Sequence, residues 1–177
     1  MSKVLVVLYS LTGTSRNVAQ LLCSQQGWEM AEIREASPRT AGGALGVVRC
    51  IVDSLLRLRP AIRYIGPPPA GFDAVVLISP IWALQLAGPM RSFVAMHRDK
   101  LPAVAVISIM GGSGAPNAVA EIARMADRAP ILSTEFTARE VGDGSFAARL
   151  QAFGTSVGSA ITSQEAVRPT TLSPQSV

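Results

Sequence analysis

Cysteine, histidine, charge and long apolar runs are all scarce in this chain, and each scarcity removes a class of function. The two cysteines, Cys23 and Cys50, are too few for a disulfide scaffold, and neither sits in a C-x-x-C pair that would suggest zinc or thioredoxin-type chemistry. Both fall in helix-like stretches and read as packing residues. Neither has an arginine six positions on, where Glu29 and Leu56 stand, so the C-x5-R loop of a low-molecular-weight phosphatase is absent. His97 is the only histidine, so a multi-histidine metal site cannot form within one chain. No apolar run approaches the ~20 residues that cross a bilayer. The run that follows Lys3 is shorter than the core of a secretory signal, so a cytoplasmic location is expected. Charged residues make up 16% of the chain. That lies well below the usual ~25%, and it predicts segments buried on both faces.

What the chain has is apolar mass. Of its 177 residues, 49% are apolar, enough to offset the entropy of ordering one domain. The domain is expected over residues 1–161. From Thr162 the composition turns to Ser, Thr, Pro and Gln, and residues 162–177 read as a disordered tail. The net charge of +4 is carried entirely by one stretch, where Arg34, Arg39, Arg49, Arg57, Arg59 and Arg63 stand against Glu35 and Asp53. It lacks the interleaved aromatics of a nucleic-acid surface, so no nucleic-acid partner is expected.

Apolar runs rich in β-branched residues predict buried parallel strands at 4–9, 73–79 and 102–109, with further strands at 28–34 and 131–138. Helical periodicity predicts helices from Ser15 to Gly27, from Leu45 to Arg59, and over 89–97, 116–126 and 145–161. Strand–helix alternation implies right-handed crossovers and hence an α/β fold, an open doubly wound parallel sheet of five strands with helices on both faces. In such sheets ligands bind at the carboxyl ends of the strands, where the strand order reverses. Three loops should line that edge.

The first loop is Ser10, Leu11, Thr12, Gly13, Thr14 and Ser15. It brings four hydroxyls to a helix start, whose orphan N–H groups and partial positive charge suit a phosphate. It has no lysine and no G-x-G-x-x-G, so it is neither a Walker-type nor a dinucleotide loop. A plain helix cap is the alternative. The second loop holds Pro80, Ile81, Trp82 and Ala83. A tryptophan at a strand end can cover a planar ring, or it can simply lid the next helix. The third holds Met110, Gly111, Gly112 and Gly114, whose bare backbone can face a heterocycle or merely turn the chain.

Taken in order, S-x-T-G-x-S after the first strand, P-I-W after the third and M-G-G-S-G after the fourth resemble the flavodoxin-like family, over about residues 3–160. The resemblance implies strand order 2-1-3-4-5 with FMN at the switch point between the first and third strands, for which flavodoxin is a standard example. It implies that the phosphate sits on Ser10, Thr12, Thr14 and Ser15, and the isoalloxazine between the other two loops. Neutral loops around an anionic reduced flavin imply a higher reduction potential than acidic surroundings would give. The implied function is electron transfer through bound flavin, with a redox partner protein or NAD(P)H as counterpart. An FMN-dependent NAD(P)H (quinone) oxidoreductase and a flavin-less binding module of the same fold remain open.

The near G-x-S-x-G at Ser113 is not a hydrolase elbow, because no histidine follows it. His97 is expected at a helix C-terminus, where positive charge is favourable. No side chain reads as a required general acid or base, so no catalytic residue is assigned. The apolar stripe of the second helix and its arginines could form a homodimer or other partner surface, or pack into the core.

Overall fold

A computed structural model describes residues 3–37 and 44–167. The elements in chain order are β1 (Val4–Tyr9), α1 (Thr14–Gln26), β2 (Glu29–Glu35), α2 (Ala44–Leu55), β3 (Ile62–Ile65), β4 (Ala74–Trp82), β5 (Gln85–Leu86), α3 (Gly88–His97), β6 (Ala103–Met110), α4 (Ala115–Ala126), β7 (Leu132–Thr137), α5 (Ala138–Asp143) and α6 (Ala147–Val167). The sheet runs β3-β2-β1-β4-β6-β7. Its parallel strands, β2-β1-β4-β6-β7, follow the expected order.

The central strands are buried because both faces are covered. Along β1, Leu5, Val7 and Tyr9 enter a core shared with α3 and α4, while Val4, Val6 and Leu8 enter one shared with α1 and α6. This is why the strand reads as a continuous apolar run and why the chain needs so few charges. α1 ends where Gly27 adopts φ +69° and its N–H donates to the Cys23 carbonyl at 2.8 Å, a left-handed cap that glycine adopts without strain.

Several expectations need correction. The sheet has seven strands where five were expected. β3 pairs antiparallel to β2 at the edge, a four-residue element wedged between Pro60 and Pro67 and too short to stand out from a linker. β5 returns antiparallel on β4 and occupies ground expected to be loop. β4 itself runs on through Pro80 to Trp82. Pro80 sits beside Ile109 of β6, beyond the last β1 pairing at Ile78, so its missing N–H breaks no ladder on the β1 side. α5 was not expected.

α6 continues six residues beyond the predicted end at 161, to Val167. The Thr162 and Ser163 hydroxyls donate to the carbonyls of Gly158 and Ser159, both at 3.0 Å, so residues read as tail-forming remain compatible with helix. Residues 168–177 of the predicted tail lie outside the described residues, as does Arg39 of the basic stretch.

Candidate functional site

β1, β4 and β6 all point their carboxyl ends at one cavity of about 170 Å³. Its walls are Ser10, Leu11, Thr12, Thr14 and Ser15 from the first loop, Pro80, Ile81 and Trp82 from β4, and Ile109, Met110 and Gly111 from β6, with Ala138 opening α5. The three loops singled out by sequence therefore meet.

The first loop is built around an unfilled helix start. Gly13 is the N-cap of α1 at φ +97°, and no side chain caps the helix. The Ser10 hydroxyl turns back to accept the Gly13 N–H at 3.0 Å, which folds the loop. The Thr12 and Thr14 hydroxyls lie 3.4 Å apart. Ser15 is buried at the cavity wall. The first-turn amides of α1 thus face a concave, hydroxyl-lined opening with no side-chain acceptor, an arrangement suited to an anion.

The second wall is held under strain. Ala83 and Leu84 make the two-residue turn between β4 and β5 with φ of +48° and +63°. Hairpins of this length favour Asn-Gly at those positions, and left-handed non-glycine residues cost roughly 1–3 kcal/mol each. Three contacts hold the turn. The Asn117 amide donates to the Leu84 carbonyl at 3.2 Å. Gly114, at φ +109°, passes beneath Leu84 so closely that a Cβ would lie 2.6 Å from its Cα. The Arg91 guanidinium donates to the Leu86 carbonyl at 2.9 Å.

Arg91 is 1% exposed. It pairs with buried Glu121 at 2.6 and 3.2 Å and also donates to the carbonyls of Leu58 and Asp53. It ties α3, α4, the end of α2 and the hairpin into one node. Trp82 projects from that hairpin, half-buried, with its ring edge-on to Tyr9 at 5.8 Å. It also packs partly against the core.

Not every predicted residue lines the cavity. Gly13 shapes the cap, Ala83 makes the turn, Gly114 underlies it, and Gly112 is exposed on the loop. Sequence reasoning missed Ile109 and Ala138 on the wall and Arg91 and Asn117 behind it. Only Ala138 had a readable signal: it stands inside the T-x-x-E capping box of Thr137 and Glu140.

Among the described residues no charged side chain lines the cavity. Arg16 and Arg34 both pair with Glu32, and the three line a second cavity of about 220 Å³ with Tyr9, Ser10 and Glu35. Burial would raise the Glu32 pKa, but the two guanidiniums outweigh it and hold the carboxyl below its ordinary value.

His97 does end α3, yet its ring packs on Phe93 at 4.6 Å and Tyr64 at 5.4 Å. Burial, and then Lys100, push its pKa below 6.5. The favourable helix-end charge expected for it is therefore overridden. Burial raises the Cys23 thiol to about 11. Among the described residues there is no acid, histidine and cysteine cluster that could hold a metal. No described helix is long and apolar enough to cross a membrane.

No protein-family model matches the sequence, and no characterised protein matches it by sequence. Solved structures do match. A flavoprotein from Lactobacillus acidophilus in complex with FMN is 19% identical, with TM-score 0.67 over 82% of this chain and 99% of that one. A putative flavoprotein from Bacteroides eggerthii is 22% identical, with TM-score 0.65 over 81% and 95%. A WrbA-like flavodoxin from Agrobacterium tumefaciens is 12% identical, with TM-score 0.59 over 92% and 99%. The strand order, the helix layers and these matches together establish that the chain has a flavodoxin-like fold.

Proposed function

We propose that this protein binds FMN at the mouth of α1 and transfers electrons through it. One observation carries the reading: the uncapped start of α1 shares a single cavity with Trp82 and the β6 loop. The residues present fit the group. Amides and hydroxyls of Thr12, Thr14 and Ser15 offer a phosphate its donors, and the Trp82 ring and the glycine-rich β6 loop offer an aromatic ring two walls. When bound, the flavin supplies reversible one- and two-electron chemistry. The chain's own residues bind and orient it. The neutral walls favour the anionic reduced form more than acidic walls would.

Within this reading the protein works in the cytoplasm and exchanges electrons with a redox partner protein or with NAD(P)H. The test is the visible spectrum of the purified protein with and without added FMN, followed by NADPH consumption by the FMN-loaded protein. A perturbed flavin spectrum with negligible NADPH consumption is expected. Brisk NADPH oxidation would move the protein to the FMN-dependent oxidoreductases, and a chain that ignores FMN would be a flavin-less module.

A further inference from the structure

The second helix is mounted inside out. Among the described side chains of α2, those buried against the core are Cys50, Asp53 and Ser54, and Ser54 is fully buried. Its hydroxyl finds no hydrogen-bond partner among the described residues. Val48, Ile51, Val52 and Leu55 fall on the opposite side at helical spacing, and all four are exposed. Leu55 is 59% and Leu56 64% exposed, and Leu58 extends the stripe past the helix end. The mounting is held from inside, where Arg91 donates to the Asp53 and Leu58 carbonyls and the Leu58 N–H donates to Asp53 at 2.8 Å. The helix therefore cannot roll its leucines inward without breaking the buried Arg91 node. An apolar stripe this continuous marks an interaction surface.

Charge selects the occupant. Arg49, Arg57, Arg59 and Arg63 are exposed on and after the helix, and the only acid between residues 44 and 63 is the buried Asp53. A second copy of the chain would bring this positive surface against itself. The stripe also contains no aromatic and no polar group for a protein partner to pair with, whereas protein interfaces are rich in aromatics at their core. An anionic lipid surface supplies both halves of the match, acyl chains for the aliphatic stripe and phosphates for the guanidiniums, without a shaped partner. We propose that α2 is an interfacial helix that docks the protein, apolar stripe down, on an anionic membrane surface. It lies on the bilayer and does not span it. The proposal does not rest on the flavin reading.

The experiment is co-sedimentation of the purified full chain with vesicles of phosphatidylcholine alone or with one third phosphatidylglycerol. Partition onto the anionic vesicles should be at least tenfold stronger than onto the neutral ones, on the order expected for a few arginines at a charged surface, and should weaken with salt. Removing two charges in R57Q/R59Q should weaken it about 30-fold. L55Q/L56Q should weaken it about tenfold or more. Both variants should keep the wild-type circular dichroism and thermal midpoint, because all four side chains are exposed. M30Q, at an exposed methionine on β2, should change nothing.

Equal partition onto both vesicle types, no partition, or partition unmoved by both double variants would overturn the proposal. So would a dimer in sedimentation velocity that L55Q/L56Q dissolves, since a second copy would then own the stripe.

Discussion

α1 and α5 begin at the same edge of the sheet, each the next element after a parallel strand, and they finish their starts in opposite ways. α5 closes its own. The Thr137 hydroxyl accepts the Glu140 N–H at 3.2 Å, and the Glu140 carboxylate accepts the Thr137 N–H at 2.7 Å. These bonds, with the Arg149 pair, hold the Glu140 carboxyl below its ordinary pKa. α1 leaves its start open, with a glycine at the cap and hydroxyls turned toward the cavity. A start satisfied from within is architecture, and one left unsatisfied beside a cavity is a binding offer.

Four experiments bear on that contrast. The largest effect belongs to the most completely satisfied group. Arg91→Met leaves Glu121 buried without its partner and should cost about 3–5 kcal/mol in urea denaturation. Adding Glu121→Gln should recover part of that loss, because the stranded charge is then gone. If the single variant is as stable as wild type, the node does not hold the hairpin.

Next is Thr12→Asp, which puts a carboxylate into the open mouth of α1. FMN affinity should fall about 10–100-fold, equivalent to ~1.4–2.7 kcal/mol, with stability little changed because Thr12 is exposed. Thr137→Ala is the mirror image. It should cost about 1 kcal/mol of stability and leave FMN affinity alone. An affinity loss there would erase the distinction between the two starts.

The smallest effect concerns His97, whose Nε2 is buried without a partner among the described residues. Its folded pKa lies below 6.5, so the unfolded chain binds the proton first. This contribution to stability is full above pH 6.5 and is lost as pH falls below it. The thermal midpoint should decline from pH 6.5 to 5, and less steeply in His97→Phe. An unchanged slope would place the titration elsewhere.

The parallel strands and the first and third loops were legible because buried strands are continuous apolar runs, and glycine, serine and threonine cluster where the chain turns at the sheet edge. β5 was not legible. Ala83 and Leu84 carry no turn signature, and their positive φ is held in place by Arg91, a few residues on, and by Gly114 and Asn117, which lie much farther along the chain. Arg91 itself reads as a surface cation in a helix, and only the fold brings Glu121 and three carbonyls to it. α2 had the correct periodicity, but periodicity does not say which face points inward. Asp53 and Ser54 took the core side because the Arg91 node holds the carbonyl end of that helix. His97 shows the same limit, since a helix-end rule cannot foresee Phe93 and Tyr64 closing over the ring.

The central claim is that the open start of α1 grips a phosphate. The most direct measurement is the affinity of the protein for FMN against riboflavin, which differ only in that phosphate. Charge-assisted hydrogen bonds at about 1.5–3 kcal/mol each predict that FMN binds at least ~100-fold more tightly. Equal affinity for the two, with the flavin spectrum still perturbed on binding, would contradict the account.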